Sequence, residues 1–116
     1  MLVVHRSPQR RWYPDVWDLP GGHLADGEDA AAALVRELRE ELDVTVEVPR
    51  ERFALVAGAD FVLDVRLVDR WVGTPVNVAP QEHDALAWVT AAQLRGMPCA
   101  DPRLPDLLAT ALAGDY

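Results

Sequence analysis

The chain has 116 residues, a net charge of −8, 50% hydrophobic residues and 26% charged residues. This length and composition predict one globular domain over residues 1–116 and exclude a disordered chain. The excess of acid argues against nucleic-acid polymers and anionic membranes as partners, because both repel a negative protein. No apolar run approaches the roughly 20 residues of a membrane helix. The single cysteine, Cys99, excludes an internal disulfide and favours a reducing, cytoplasmic compartment.

The first third of the chain predicts a strand, a loop and a helix. Residues 2–5 begin with a short apolar run that is typical of a buried strand. Residues 6–20 are rich in Pro, Arg, Trp and Asp and are predicted to form a loop. Asp29 is predicted to cap a helix that ends at Leu42, and Asp43 to take a left-handed conformation after it.

The remainder of the chain predicts four strands and two helical segments. Apolar and alternating patterns place the strands at 44–48, 53–57, 61–71 and 86–89. A helical turn capped by Thr90 and a helix that starts at Asp101 and Pro102 follow them. This order favours an α/β fold, with a mixed sheet packed between helices, over a helical bundle.

The charge is unevenly distributed along the chain. Residues 26–51 hold nine acids and three arginines and therefore carry −6 of the net charge. The first twelve residues instead hold Arg6, Arg10 and Arg11 and no acid. This distribution suits a protein whose acids hold a cation and whose arginines meet an anion.

Three glutamates of the predicted helix form a cluster. Glu37, Glu40 and Glu41 are related by i+3 and i+4 spacings, which place their carboxylates on one face, roughly 130° from the leucine stripe. Like charges at these spacings destabilise a helix by a few tenths of a kcal/mol per pair. A divalent cation reverses the repulsion, and oxygen ligands suit Mg²⁺ or Mn²⁺. The alternative is a solvated acidic face, which is common for such a pattern alone.

The surroundings of this cluster carry a spaced set of glycine, arginine and glutamate residues. Residues 22–44 read GHLADGEDAAAALVRELREELDV. This segment resembles the box of the Nudix (MutT-like) hydrolase family, G-x5-E-x7-R-E-U-x-E-E-x-G-U, where U is aliphatic. The matching residues are Gly22, Glu28, Arg36, Glu37, Leu38, Glu40, Glu41 and Val44. Asp43 stands where the family has glycine, and residues 17–21 resemble the family's approach to the box.

The resemblance implies hydrolysis of a nucleoside diphosphate linked to another group, on the family's α/β/α sandwich with a mixed sheet. It implies that Mg²⁺ or Mn²⁺ is held by Glu37, Glu40, Glu41 and the backbone carbonyl of Gly21. It also implies catalytic roles for Glu37 and Glu41, with the general base at Glu37 or at a glutamate beyond the box. Arg36 corresponds to the arginine that orients a box carboxylate.

Residues 71–88 indicate the substrate class. Their W-x-G-x-P-x-N pattern, followed by Glu82, His83 and a tryptophan, resembles the Nudix subgroup that hydrolyses nucleoside triphosphates, including oxidised purine forms. Ala79 stands where many of those proteins have glutamate. The resemblance thus predicts a Mg²⁺-dependent pyrophosphohydrolase that releases a nucleoside monophosphate and pyrophosphate. The alternatives are an ADP-ribose or dinucleotide pyrophosphatase and a non-catalytic Nudix-like nucleotide-binding module.

Three residues outside the box are further candidates for the site. Arg6, at the end of the first strand, is a candidate to share the charge that develops on the phosphates. Asn77 can donate and accept hydrogen bonds toward a base edge. Glu82 is a candidate for an additional metal ligand or base from a late loop. The structural alternatives are a solvated arginine, a turn-forming asparagine and a solvated loop acid, respectively.

The resemblance also implies a strand before residues 2–5, and the chain begins too late to include it. An uncovered edge strand invites pairing with another chain. Either the native start lies upstream of Met1 or a neighbouring subunit covers the exposed edge. We expect a homodimer or an exchanged element, with a small-molecule nucleotide as the other partner.

Overall fold

The computed structural model of the protein describes residues 1–21, 29–47, 52–58 and 62–113. The chain divides into two compact units, Met1–Pro20 with Val76–Tyr116, and Gly21–Pro75. In chain order the elements are β1 (Leu2–Arg6), β2 (Trp17–Asp18), α1 (Ala30–Leu42), β3 (Thr45–Val46), β4 (Ala54–Ala57), β5 (Val62–Val65), β6 (Trp71–Val72), β7 (His83–Trp88), α2 (Ala91–Arg95) and α3 (Leu104–Ala113). This content of helices and strands confirms the α/β class.

The first unit contains a three-stranded antiparallel sheet in the order β2-β1-β7. Its central strand is β1, whose apolar run buries Val3 and Val4 to 1% exposure each. In the second unit β3 pairs with β6 and β4 with β5, both antiparallel. Among the described residues, an isolated bridge between Trp17 and Cys99 is parallel.

The core of the first unit joins this sheet to α2 and α3. The residues at its centre are Val3, Val89, Leu94, Leu104 and Leu108, each at most 8% exposed. As predicted, Thr90 caps α2: its side chain accepts from the N–H of Gln93, and the Gln93 side chain accepts from the N–H of Thr90. Helix α3 begins later than predicted, because the Asp101 carboxylate accepts from the N–H of Arg103 in a turn that precedes the helix.

Helix α1 of the second unit is bounded by two aspartates. Asp29 accepts a hydrogen bond from the N–H of Ala32 at 2.7 Å, which confirms it as the N-cap. Asp43 has the predicted left-handed conformation, at φ 56°, and its N–H donates to the Arg39 carbonyl at 3.2 Å. The aspartate in the family's glycine position therefore still ends the helix with a left-handed residue.

Gly73, directly after β6, lies against this helix end. Its φ of 105° belongs to a region that residues with a side chain rarely adopt. A Cβ atom at this position would lie 3.1 Å from the Asp43 carbonyl oxygen. Both the conformation and the close approach of the two backbone segments therefore require glycine here.

The long strand predicted over residues 61–71 is wrong. β5 ends at Val65, residues 66–70 are irregular, and β6 contains two residues. β5 ends at Val65 because its partner strand, β4, begins at Ala54, which is the residue that pairs with Val65. The structure also adds the short strand β2 within the predicted loop of residues 6–20. Predictions at residues 48–51, 59–61 and 114 lie outside the described residues.

Asp64 on β5 is held between two arginines. Its carboxylate accepts from Nε of Arg52 at 2.8 Å and from Nε of Arg66 at 2.9 Å. Burial alone would raise the pKa of Asp64, but the two arginine hydrogen bonds outweigh it and the pKa is lowered. A carboxyl group whose pKa is lowered by folding stabilises the folded state above its unfolded pKa.

We expect Asp64→Asn to lower the free energy of unfolding at pH 7 by about 0.5–1 kcal/mol, since Arg52 is half exposed and the pairs are partly screened. The difference from the parent should shrink as the pH falls below about 4, because Asp64 becomes protonated first in the unfolded state and, at lower pH, in the folded state. Chemical denaturation at several pH values measures it. Asp69→Asn, the same charge change at an exposed residue of this unit, is the control, and an equal loss in both variants would contradict the prediction.

Candidate functional site

The three glutamates of α1 differ in exposure. The side chain of Glu40 is 59% exposed and that of Glu37 is 14% exposed, whereas Glu41 is buried at 5%. Nη1 of Arg36 lies 2.8 Å from Oε1 of Glu37 and 3.3 Å from Oε2 of Glu40. The structure therefore brings Arg36 together with two of the predicted metal-ligand glutamates, and the guanidinium bridges their carboxylates.

The burial of Glu41 differs from the prediction that all three carboxylates face away from the buried side of the helix. Leu38 and Leu42 are buried as predicted, but Val35 from the predicted stripe is 37% exposed. Glu41 follows Leu34 of the predicted stripe by seven residues, which places the two about 20° apart around the helix. The buried side of the helix thus extends to Glu41, at the edge of the predicted stripe. Carboxylates are buried in proteins when they are paired or coordinate a metal.

Gly21, the predicted carbonyl ligand, precedes the part of the box that lies outside the described residues. Its φ is 139°, which favours glycine. A Cβ atom there would meet Cδ1 of Leu34 at 3.8 Å, an ordinary contact. Conformation rather than space therefore requires glycine at this position. Gly22 and Glu28 of the box fall among the residues that are not described.

The guanidinium of Arg6 is held by the loop that follows β1. Its Nε donates to the Tyr13 carbonyl at 2.9 Å and its Nη2 to the Trp12 carbonyl at 2.8 Å, while Nη1 lies 3.5 Å from Oδ2 of Asp18. Tyr13 and Asp15 have φ values of 49° and 62°, which are uncommon for residues with side chains. Arg6 therefore stabilises a loop with unfavourable backbone angles, a role that its position in the sequence did not indicate. Its role in substrate binding stays a prediction.

Glu82 and Asn77 both lie beside the start of β7. The N–H groups of Glu82 and His83 donate to the Ala79 carbonyl at 2.9 and 3.0 Å, which forms a turn before the strand. Glu82 is exposed, and its carbonyl accepts from the N–H of Ser7 at 3.0 Å. Nδ2 of Asn77 donates to the His83 carbonyl at 2.5 Å. Asn77 is therefore tied to the same turn as Glu82 through its amide.

His83 lies at the same turn, and the sequence did not predict it as a site residue. It is 3% exposed, and its Nδ1 is buried without a hydrogen-bond partner among the described residues. Burial lowers the pKa of His83, with Arg10 and Arg6 acting in the same direction and Glu82 against it. The only signal in the sequence that His83 lies near a site was its position directly after Glu82, a predicted site residue.

A second histidine, His5 on β1, lies between two carboxylates. Its Nδ1 is 2.5 Å from Oδ1 of Asp84 and its Nε2 is 3.3 Å from Oδ1 of Asp15. Its ring also packs against Trp17, with 5.0 Å between the ring centroids. Both nitrogens of His5 therefore face protein carboxylates, in contrast to those of His83.

The NUDIX domain family matches residues 1–110 of the chain. The chain belongs to this family. Over 81 residues it is 40% identical to a putative 8-oxo-dGTP diphosphatase 2 of Mycobacterium tuberculosis, a match that covers 67% of this chain and 56% of that protein. It is 28% identical to the CTP pyrophosphohydrolase of Escherichia coli, over 90% of this chain and 77% of that protein.

Solved structures support the same fold. A MutT NUDIX hydrolase from Burkholderia pseudomallei is similar with a TM-score of 0.71 and 30% identity, over 78% of this chain and 73% of that one. The Nudix fold class predicted from the box is thereby confirmed, and the chain is MutT-like within the family. Within the described ranges, none of the helices has the length and apolar character needed to cross a membrane.

The contacts of Arg6 predict a measurable cost for its replacement. Arg6→Lys removes the fork that reaches two backbone carbonyls, and we expect the free energy of unfolding to fall by about 1–3 kcal/mol. Thermal and chemical denaturation measure this loss. Arg10→Lys is the matched control, because Arg10 makes one long contact, 3.4 Å to the Glu82 carbonyl. Equal stability of the two variants would show that Arg6 does not hold the loop.

Proposed function

We propose that this Nudix protein is a metal-dependent pyrophosphohydrolase that cleaves a nucleoside triphosphate, including oxidised purine forms, to a monophosphate and pyrophosphate. The observation that carries the proposal is the arrangement of charged residues on α1. Arg36 bridges the carboxylates of Glu37 and Glu40, and the next residue, Glu41, is buried. The named activities of the Mycobacterium tuberculosis and Escherichia coli relatives support a nucleotide substrate.

The residues on α1 fit a hard divalent cation. Their donor atoms are carboxylate oxygens, the class of ligand that Mg²⁺ and Mn²⁺ prefer. Glu37, Glu40 and Glu41 would hold the ion, with the carbonyl of Gly21 as a further ligand. When bound, such an ion supplies charge neutralisation on the pyrophosphate and a water of lowered pKa.

The protein side chains then have separate tasks. Arg36 fixes the carboxylate of Glu37 at 2.8 Å, which positions that group as a metal ligand or as the base that takes a proton from the attacking water. An arginine that bridges two carboxylates also offsets their repulsion before a cation binds. Glu82, in the turn before β7, stays a candidate ligand or base in this proposal.

Substrate recognition is assigned to Arg6 and Asn77 as part of the proposal. Nδ2 of Asn77 is engaged by the His83 carbonyl, and its Oδ1 is buried without a hydrogen-bond partner in the part of the chain that is described. This oxygen is thus suited to accept an N–H from a nucleobase. Arg6 would share charge on the phosphates. The cytoplasmic location and the homodimer belong to the proposal in the same way.

Two isosteric substitutions test the role of α1. Glu37→Gln and Glu41→Gln each remove one carboxylate charge and should reduce turnover at least about 100-fold, because each loses a metal ligand or the base. Glu47→Gln, at an exposed residue of the same unit, should retain parental turnover. Phosphate release coupled to a pyrophosphatase measures the rate, and thermal denaturation confirms folding. Parental rates in the first two variants would overturn the mechanism.

A nucleotide panel tests the substrate. With Mg²⁺ or Mn²⁺ we expect the highest kcat/KM on ordinary or oxidised nucleoside triphosphates, with monophosphate and pyrophosphate as products, and no turnover in excess chelator. Preference for ADP-ribose or dinucleotides would replace the proposed substrate. Tight nucleotide binding without turnover on any member of the panel would indicate a binding module instead.

A further inference from the structure

The turn at the start of β7 fixes the backbone of His83 on both sides. Its N–H donates to the Ala79 carbonyl at 3.0 Å, and its own carbonyl accepts from Nδ2 of Asn77 at 2.5 Å. The preceding residue, Glu82, is fixed in turn by the N–H of Ser7, which donates to its carbonyl at 3.0 Å. Glu82 and His83 are therefore held as a pair by two segments, residues 77–79 and Ser7.

A β-bulge directly follows the pair, and the two side chains lie close together. Arg6 pairs with His83 and His5 pairs with Ala85, so Asp84 is an extra residue on β7. In a regular strand, consecutive side chains point to opposite faces. Glu82 lies in the turn before the strand, where this alternation does not apply, and one of its carboxylate oxygens lies within 4.8 Å of a ring nitrogen of His83. Such a separation allows both atoms to ligate one ion.

The ring nitrogen of His83 has the character of a ligand without an ion. The side chain is 3% exposed, and Nδ1 is buried with no hydrogen-bond partner within the described ranges. Buried polar atoms normally have a partner, and one without it calls for a ligand, a water or an ion. His5, which shares the bulge, has both nitrogens occupied by Asp15 and Asp84 and lacks this property.

We propose that His83 is a nitrogen ligand for a divalent cation, with Glu82 as its oxygen partner. The inference rests on the metal requirement of the proposed function. The charged groups around the pair are Arg6 and Arg10, which oppose a cation, and Asp84, which favours one. Arg6 is engaged by backbone carbonyls and Asp84 by His5. Imidazole favours Mn²⁺, Co²⁺ and Zn²⁺ over Mg²⁺, so the pair should shift the metal preference toward those ions.

Pulsed electron paramagnetic resonance of bound Mn²⁺ tests this ligand without an activity assay. The full chain loaded with one equivalent of Mn²⁺ should show modulation from a directly bound ¹⁴N nucleus. The signal should disappear in His83→Gln. It should persist in the double variant His5→Gln/His23→Gln, in which His83 is the only histidine. This double variant keeps the test decisive where His83→Gln fails to fold.

Metal affinity provides a second measurement. His83→Gln should weaken Mn²⁺ binding by about tenfold or more, while Mg²⁺ affinity changes by less than about threefold. His5→Gln should change neither affinity. Equal weakening for both ions would contradict nitrogen ligation.

The outcomes separate the inference from the proposed function. Mn²⁺-dependent nucleotide hydrolysis with bound Mn²⁺ and no ¹⁴N modulation would overturn the His83 ligand and leave the proposed function intact. A nitrogen signal that is lost in the His5→Gln/His23→Gln variant would also overturn it, because the ligand would then be another histidine. Conversely, a His83-dependent signal in a protein that hydrolyses no nucleotide would support the ligand and reject the proposed function.

Discussion

The antiparallel pairing of β1 with β7 is the constraint on which the first unit depends. It runs from Leu2 opposite Trp88 to Arg6 opposite His83, and it sets Val3 into the core between the sheet and the two C-terminal helices. The same pairing ends in a bulge, and the polar groups of the unit gather at that end. Arg6 leaves the strand there to hold the next loop, while Glu82 and His83 enter it from a turn. At this end of the β1–β7 pairing, the residues that carry carboxylate, imidazole and guanidinium groups are held by hydrogen bonds that involve the backbone.

In the second unit, α1 holds several negative charges close together. The helix carries three glutamates within five residues, which repel one another at these spacings. Arg36 offsets part of this repulsion by bridging Glu37 and Glu40, and Glu41 is buried. The net charge of −8 therefore does not describe a uniformly repulsive surface. It is compatible with a small polyanion that is bound together with a cation.

Local signals predicted the caps of α1 and α2 correctly, because capping depends on residues within one turn of each other, whereas α3 begins later than predicted. Asp29, Asp43 and Thr90 all act where the sequence placed them. The strand over residues 61–71 was predicted too long, since the extent of a strand depends on its partner and β4 begins only at Ala54. The contacts of Arg6 with the carbonyls of Trp12 and Tyr13 could not be predicted from the sequence either, because a side chain that stabilises a loop leaves no periodic pattern.

The sequence by itself determined the family and named the residues that are proposed to carry its chemistry. The spacing of Arg36, Glu37, Glu40 and Glu41 is a property of one helix, and helical geometry converts it directly into a cluster. Only the tertiary structure decided which of these groups are buried and which are exposed. It also decided that Nδ1 of His83 is buried without a partner among the described residues, whereas both nitrogens of His5 are engaged. Burial and long-range pairing depend on segments far apart in the chain, here residues 2–6 and 77–88, and no local pattern encodes how they meet.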